Sequence, residues 1–303
     1  MVEQGKSPET QETPKSEFVA KLEKLWAKSN FVCVGLDSDY SQISDAATRL
    51  YTKPGLPEWK IYVFNKEIID ATHDLVCAYK PNIAFYEAEG IEGIEALKNT
   101  IDYVHETYPE IPVILDAKRG DTGDTNLGYV KAAFDELGAD AVTVHPYLGK
   151  EALKPFLDRR DKGIFVLART SNPGAGEFQD LRIDNLDYPE WGSRSLPLYQ
   201  YVAKRVVDYW NENGNCGVVV GATYPEELAK VRKIVGDMPI LIPGIGTQGG
   251  EVEATVKAGQ DSRGWGMIIN SSRGIIFASK GKDFAQAARK ATENLRKEIN
   301  KYR

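Results

Sequence analysis

Eight short apolar runs recur along the 303 residues: Phe31–Leu36, Leu75–Tyr79, Val113–Asp116, Ala141–Val144, Gly163–Leu167, Gly217–Val220, Ile240–Ile242 and Gly266–Ile269. They are rich in β-branched residues and do not alternate apolar with polar, so each reads as a strand buried on both faces. Helical patterns separate them. Gly93–Tyr108 carries Ile94, Leu97, Ile101 and Val104 at three- and four-residue spacing, and 150–157, 198–210, 225–235, 250–258 and 284–299 behave alike. Pro225 suits a first helical position. Ser16–Trp26 reads as an extra N-terminal helix capping the bottom of the fold. Eight strand–helix alternations in one uninterrupted stretch predict an α/β fold of the (βα)8 TIM-barrel type, a single domain over 16–303.

An open doubly wound sheet is the structural rival, because periodicity does not show closure. The residues after the runs favour the barrel. They are Asp37, Lys80, Asp116 with Lys118, His145, Ser171, Thr223, 244–249 and 270–273. In a barrel these ends converge on one mouth, whereas in an open sheet only a few meet at the switch point. Two long excursions stand out: 38–62, with Pro54-Gly55-Leu56-Pro57, and 171–195, with Asn172-Pro173-Gly174. Loops of such length in a compact fold usually carry function, and the second reads as a lid.

Composition narrows the function. A balance of 38 basic to 44 acidic residues, net −6, predicts no nucleic-acid partner and no anionic membrane surface. No apolar run approaches the roughly 20 residues of a membrane span. Cys33, Cys77 and Cys216 sit inside apolar runs without CxxC spacing, and read as buried thiols of a reducing, cytoplasmic compartment. His73, His105 and His145 lack metal-ligand spacing, so no metal is expected. For His145 a structural and a site-lining role both stay open. Residues 1–15 are polar, contain Pro8 and Pro14, and read as a disordered tail rather than a signal peptide.

Two motifs carry chemistry. Asp116-Ala117-Lys118-Arg119-Gly120-Asp121 crowds unlike charges at the end of an apolar strand. It is either a surface ion-pair turn or a site where pKa values are held away from their solution values. With Asp37 and Lys80 it forms a line of alternating charges, in which each lysine stays protonated and each carboxylate ionised. Such a lysine is a poor base and a good proton donor to a developing carbanion. Pro243-Gly244-Ile245-Gly246-Thr247-Gln248-Gly249-Gly250 contains GxGxxG, but no acidic residue ends the next strand as a dinucleotide fold requires. A phosphate cradle at a helix N-terminus fits better. Phosphate sites of (βα)8 barrels lie after strands seven and eight, and Ser272-Arg273-Gly274 follows the eighth run. Arg273 offers a bidentate fork.

These residues resemble the orotidine 5′-monophosphate decarboxylase family, in its longer bacterial subgroup. The resemblance rests on the DxKxxD box of Asp116, Lys118 and Asp121, on Gly35-Leu36-Asp37, Lys80-Pro81-Asn82 and Arg169-Thr170-Ser171-Asn172-Pro173-Gly174, and on Pro243-Gly244-Ile245-Gly246 with Gln248 and Ser272-Arg273-Gly274. It spans about residues 31–280. It implies cofactor-free decarboxylation of orotidine 5′-phosphate to uridine 5′-phosphate, the last step of de novo UMP synthesis. Lys118 would protonate C6, Asp116 would crowd the substrate carboxylate, and Asp37 and Lys80 would hold ribose hydroxyls. Asp121 and Thr125 would reach across a homodimer interface into the partner's site. Ser171 would meet the pyrimidine edge, and Gln248 and Arg273, with Gly246, Gly249 and Ser272, the phosphate. One position departs: Thr122 stands where the family commonly has an apolar residue. A Mg2+-dependent sugar-phosphate decarboxylase or hexulose-phosphate synthase is the alternative, opposed by Lys80 where those enzymes place a carboxylate. A non-catalytic nucleotide-binding barrel is a second, opposed by the intact Lys118 box.

Overall fold

The protein is described by a computed structural model that covers residues 16–45, 57–184, 195–245 and 249–303. The expected tail (1–15), Pro54-Gly55-Leu56, Gly246, Gln248 and most of the tip of the 171–195 loop lie outside the described residues.

Among the described residues there are ten strands: β1 (Val32–Leu36), β2 (Val76–Pro81), β3 (Ile114–Arg119), β4 (Ala141–Val144), β5 (Gly163–Arg169), β6 (Arg182–Asp184), β7 (Ser195–Pro197), β8 (Cys216–Val220), β9 (Ile240–Pro243) and β10 (Met267–Ser271). Eight form one parallel sheet in the order β2-β1-β10-β9-β8-β5-β4-β3. Bridges Tyr79↔Val113 and Asn82↔Asp116 bring its two edges together, so the sheet curls into a nearly closed barrel. The open-sheet rival is thereby excluded. The helices are α1 (Glu17–Ala27), α2 (Pro57–Thr72), α3 (Gly90–Thr107), α4 (Gly123–Val130), α5 (Gly149–Leu157), α6 (Leu198–Arg205), α7 (Pro225–Val235), α8 (Gly249–Gly259) and α9 (Phe284–Lys301), with short helical turns between.

Three differences from the sequence reading have physical causes. Helix α2 begins inside the stretch read as an excursion, whose Pro-Gly-Leu-Pro punctuation ends at the first helical residue, Pro57. Helix α4 was not expected, because Gly-Asp-Thr-Asn-Leu-Gly-Tyr-Val has two glycines and little helix propensity. The long loop after β5 carries an antiparallel ribbon, with Ile183 opposite Leu196, closed by the Arg182 guanidinium donating to Ser195 Oγ at 2.9 Å.

The N-terminal helix covers the bottom of the barrel, as expected. Ser16 caps it by accepting from Val19 N. Phe18 meets Phe165 edge-on at 5.7 Å and Trp26 stacks on Phe31. Asp140, at the foot of β4, joins the pieces: it accepts from Lys21 Nζ at 3.0 Å and from Val113 N at 2.8 Å, and pairs with His105 Nε2 at 2.7 Å. Burial pushes its carboxyl up, but His105 and the other donors outweigh this and hold it at about 2. The three cysteines are buried and free, and burial pushes the Cys33 and Cys216 thiols to about 12.

Inside the barrel, Phe165 occupies space that Gly217 leaves. A Cβ on Gly217 would lie 2.5 Å from a Phe165 ring carbon and 2.8 Å from the Pro239 carbonyl. Since neither a packed ring nor backbone yields cheaply, Gly217→Ala should destabilise the fold by about 2 kcal/mol. Urea denaturation measures this, and an unchanged midpoint would contradict the packing described.

Candidate active site

The carboxyl ends of β1 and β2 are sheet neighbours, and that of β3 joins them only because the barrel closes. That closure sets a buried ammonium between two carboxylates. Lys80 lies within β2 rather than after it, its side chain 3% exposed. Its Nζ is 3.7 Å from Asp37 Oδ1 and 3.2 Å from Asp116 Oδ2. Asp116 Oδ1 in turn receives Lys118 Nζ at 2.7 Å. The alternating line expected from the sequence therefore exists as Asp37–Lys80–Asp116–Lys118. Burial alone would push the Asp116 carboxyl up, but Lys80 and Lys118 outweigh it and hold the group at about 2. Burial likewise disfavours the charged Lys80, yet Asp116 and Asp37 raise its pKa above the usual lysine value.

Strand β3 continues through the box to Arg119, further than its apolar residues suggest, and it bulges there. Leu115 pairs with Val142 and Arg119 with Val144, so β3 takes extra residues against β4. Lys118 sits in the left-handed region at φ 47°, a strain of about 1 kcal/mol or more in a non-glycine residue. Thr143 of β4 holds the bulge. Its Oγ1 accepts from Ala117 N and Lys118 N at 3.0 Å each and donates to Asp116 Oδ1 at 2.9 Å. Behind Asp37 lies a buried polar hub. Asn65 accepts from Ser38 Oγ and donates to Tyr86 Oη and Thr100 Oγ1, while Tyr86 Oη donates to the Leu36 carbonyl at 2.9 Å. The hub ties the end of β1 to α2, α3 and the turn after β2. Sequence reasoning missed Thr143 and Asn65; for Thr143 the available signal was a lone polar side chain in an otherwise apolar strand, whereas Asn65 sits beside Lys66 and Glu67 in a mixed helix that gave none.

A cavity of about 470 Å3 opens at this mouth, lined by Asp37, Lys80, Asp116, Pro243 to Ile245 and Asn270 to Gly274. The end of β1 and the loops after β9 and β10 thus face one space, as the motifs required. Arg273 is exposed and has no ion pair among the described residues. Ser171 lies beside Gly221, where a Cβ would come 2.6 Å from its Cβ, and within 3.6 Å of one built on Gly244. Arg169, donating to Thr170 O and to Asp180, pins the root of the Ser171 loop. Gly249 opens α8. Gly246 and Gln248, on the predicted phosphate loop, lie outside the described residues.

A second recess of about 340 Å3 adjoins the first, lined by Lys118 to Asp121, Tyr129, His145 and Leu148. His145 is thus a lining residue. Asp121 accepts from Thr122 N at 2.7 Å, and Asn126 fixes its backbone. Asp121, Thr122 and Thr125 are exposed, and Asp121 makes no ion pair with Lys118. Within one chain the line of charges stops at Lys118. Among the described residues no group of three or more His, Cys, Asp or Glu converges as a metal site, and no helix is long and apolar enough to cross a membrane.

Residues 30–291 match a family model described as the orotidine 5′-phosphate decarboxylase / HUMPS family. An orotidine 5′-phosphate decarboxylase of Cellvibrio japonicus is 50% identical over 284 residues, 93% of this chain and 98% of that protein. One from Ralstonia pickettii is 48% identical over 287 residues, 94% of this chain and 99% of that one. Among solved structures, Leishmania donovani OMP decarboxylase superposes with a TM-score of 0.74 at 38% identity, covering 92% of this chain and 98% of that chain.

Asp116 is depressed in the folded state, so its contribution to stability is present above the ordinary carboxylate range and is lost as pH falls towards about 2. Asp116→Asn should cost about 3 kcal/mol at neutral pH, because it strips the buried Lys80 of its nearer partner. The difference from wild type should shrink below about pH 4. Urea denaturation across pH checks this; a difference that does not change with pH would contradict it.

Proposed function

The chain belongs to the orotidine 5′-phosphate decarboxylase / HUMPS family, and on that premise we propose how its residues divide the reaction between them. The reaction is decarboxylation of orotidine 5′-phosphate to uridine 5′-phosphate in UMP biosynthesis, a carboxy-lyase step. The magnesium-dependent sugar-phosphate alternative is not favoured by these relatives.

Breaking the C6–carboxylate bond releases CO2 and leaves its electron pair on C6, with little delocalisation into the ring. The barrier is therefore almost entirely charge development. Lys118 faces that carbon as the proton donor. Its ammonium, already held at 2.7 Å by Asp116, stabilises the developing charge without reorganising water and then transfers one proton to C6. No cofactor is needed in this scheme. Asp116 sits against the leaving carboxylate, and Lys80 keeps Asp116 ionised. Asp37 and Lys80 hold ribose hydroxyls, and Ser171 meets the pyrimidine edge. Arg273, Ser272, Gly246, Gln248 and Gly249 grip the phosphate. The single observation that carries this reading is the Asp37–Lys80–Asp116–Lys118 line at the cavity mouth.

Residues 16–303 act as one catalytic domain, with 1–15 as a tail, in a cytoplasmic homodimer. Support for the dimer comes from the second recess. Asp121 and Thr125 are exposed in one chain, beside Leu127 at 59%, Tyr147 at 85% and Leu148 at 46% exposure. A second copy on this face would bury the apolar side chains and carry Asp121 and Thr125 to the partner's ribose site.

Lys118→Ala should lower turnover by about 10^4-fold or more while leaving UMP binding measurable by calorimetry. Near-normal turnover would refute the donor role. Mixing Asp121→Ala with Lys118→Ala chains should restore roughly a quarter of wild-type activity at equal ratio, since half the dimers are hybrids with one intact site. Absence of rescue after demonstrated subunit exchange would overturn the shared site.

A further inference from the structure

Asn270 is a polar residue that the roles above do not use. It lies on β10 opposite Cys33 of β1, the strand that leads to Asp37, and is one of the residues that line the mouth cavity. It is 4% exposed. Its Oδ1 is buried with no hydrogen-bond partner among the described residues, and its Nδ2 makes only a long contact of 3.4 Å to Ser272 Oγ. The space is made deliberately: Gly35 of β1 has no side chain, and a Cβ there would stand 3.1 Å from Asn270 Oδ1 and collide with the Ser272 hydroxyl. A buried, unsatisfied amide costs stability, and an apolar residue of similar size would not. Asp37 Oδ1 at this cavity also makes no hydrogen bond among the described residues and meets only Lys80 Nζ, at the longer distance of 3.7 Å. Asn270 is therefore the acceptor left for a bound molecule.

The chemistry of that molecule follows from the acceptor. Phosphate oxygens and carboxylates carry no proton to offer a carbonyl, whereas a hydroxyl does. A hydroxyl also both donates and accepts, so it satisfies the amide in either orientation. Asn270 lines the same cavity as Asp37 and Lys80, from the two strands β1 and β2 that follow β10 in the sheet, and as Ser272 and Arg273, two and three residues further along its own chain. A sugar carrying a phosphate fits that set of groups. We propose that Asn270 is a further substrate-binding residue, whose amide accepts a hydrogen bond from a ribose hydroxyl of the nucleotide. This deepens, and rests on, the nucleotide reading of the site.

The test compares Asn270→Leu and Asn270→Ala with the unsubstituted full-length enzyme. Melting temperature is measured without ligand, and dissociation constants are measured for UMP, 2′-deoxy-UMP and 3′-deoxy-UMP. Asn270→Leu should melt no lower than wild type, because the unsatisfied amide is gone. Both variants should bind UMP about tenfold more weakly. That loss should disappear with whichever deoxy analogue lacks the bonded hydroxyl. Unchanged UMP binding overturns the proposal. So does an equal loss for all three nucleotides. Melting of both variants well below wild type also overturns it, since the amide would then be holding the unliganded fold. Turnover of orotidine 5′-phosphate by the unsubstituted enzyme reports separately on the reading of the site itself.

Discussion

The structure of the mouth depends on one buried ammonium. Lys80 is enclosed by the barrel wall, and only Asp37 and Asp116 on flanking strands make its charge tolerable there. The arrangement is mutual, because Lys80 also keeps Asp116 ionised in a place where burial would otherwise protonate it. Ionised Asp116 in turn holds Lys118 at the rim. Four groups from three strands thus share one electrostatic solution, and none of them can be exchanged without disturbing the rest.

A charged line is useful for catalysis only if its geometry is already set before substrate arrives. Two neutral devices set it. Thr143 stitches the β3 bulge, which lets Lys118 take a left-handed backbone and turn its side chain back onto Asp116. The Asn65 hub fixes the backbone on either side of Asp37 from behind. Both devices lie in packed strands and helices, so positional precision comes from the scaffold and chemistry from its edge.

The two ends of the barrel use polar groups differently. At the bottom, Asp140 joins α1, α3 and β4, and the buried Arg232 donates to the Gly236, Met238, Gly259 and Gly266 carbonyls. These groups are saturated with partners inside the chain, and they close loops and hold a helix against the barrel. At the mouth, Asn270 keeps an acceptor without a donor among the described residues, Asp37 Oδ1 meets only Lys80 at 3.7 Å, and Arg273 has no counter-charge among the described residues. Asp140 and Arg232 use their polar groups to hold the chain together, whereas Asn270 and Arg273 keep theirs for a ligand.

Much of this was legible in the chain. Unalternating β-branched runs separated by amphipathic helices specify a parallel sheet with both faces covered, and eight of them with polar ends specify a barrel. The DxKxxD box, Lys80, Asp37 and Ser272-Arg273 were visible because charge at the end of an apolar run is costly without a purpose. Contacts between residues far apart in sequence were not legible. Closure of β2 against β3 decides that Lys80 meets Asp116, and the pairing of β3 with β4 decides that Thr143 orients Lys118. Asn270 opposite Cys33, with its amide close to Gly35, is a matter of register between the last strand and the first. Local composition sets what each segment becomes, but hydrogen-bond register and packing set which side chains meet, and those depend on the whole chain at once.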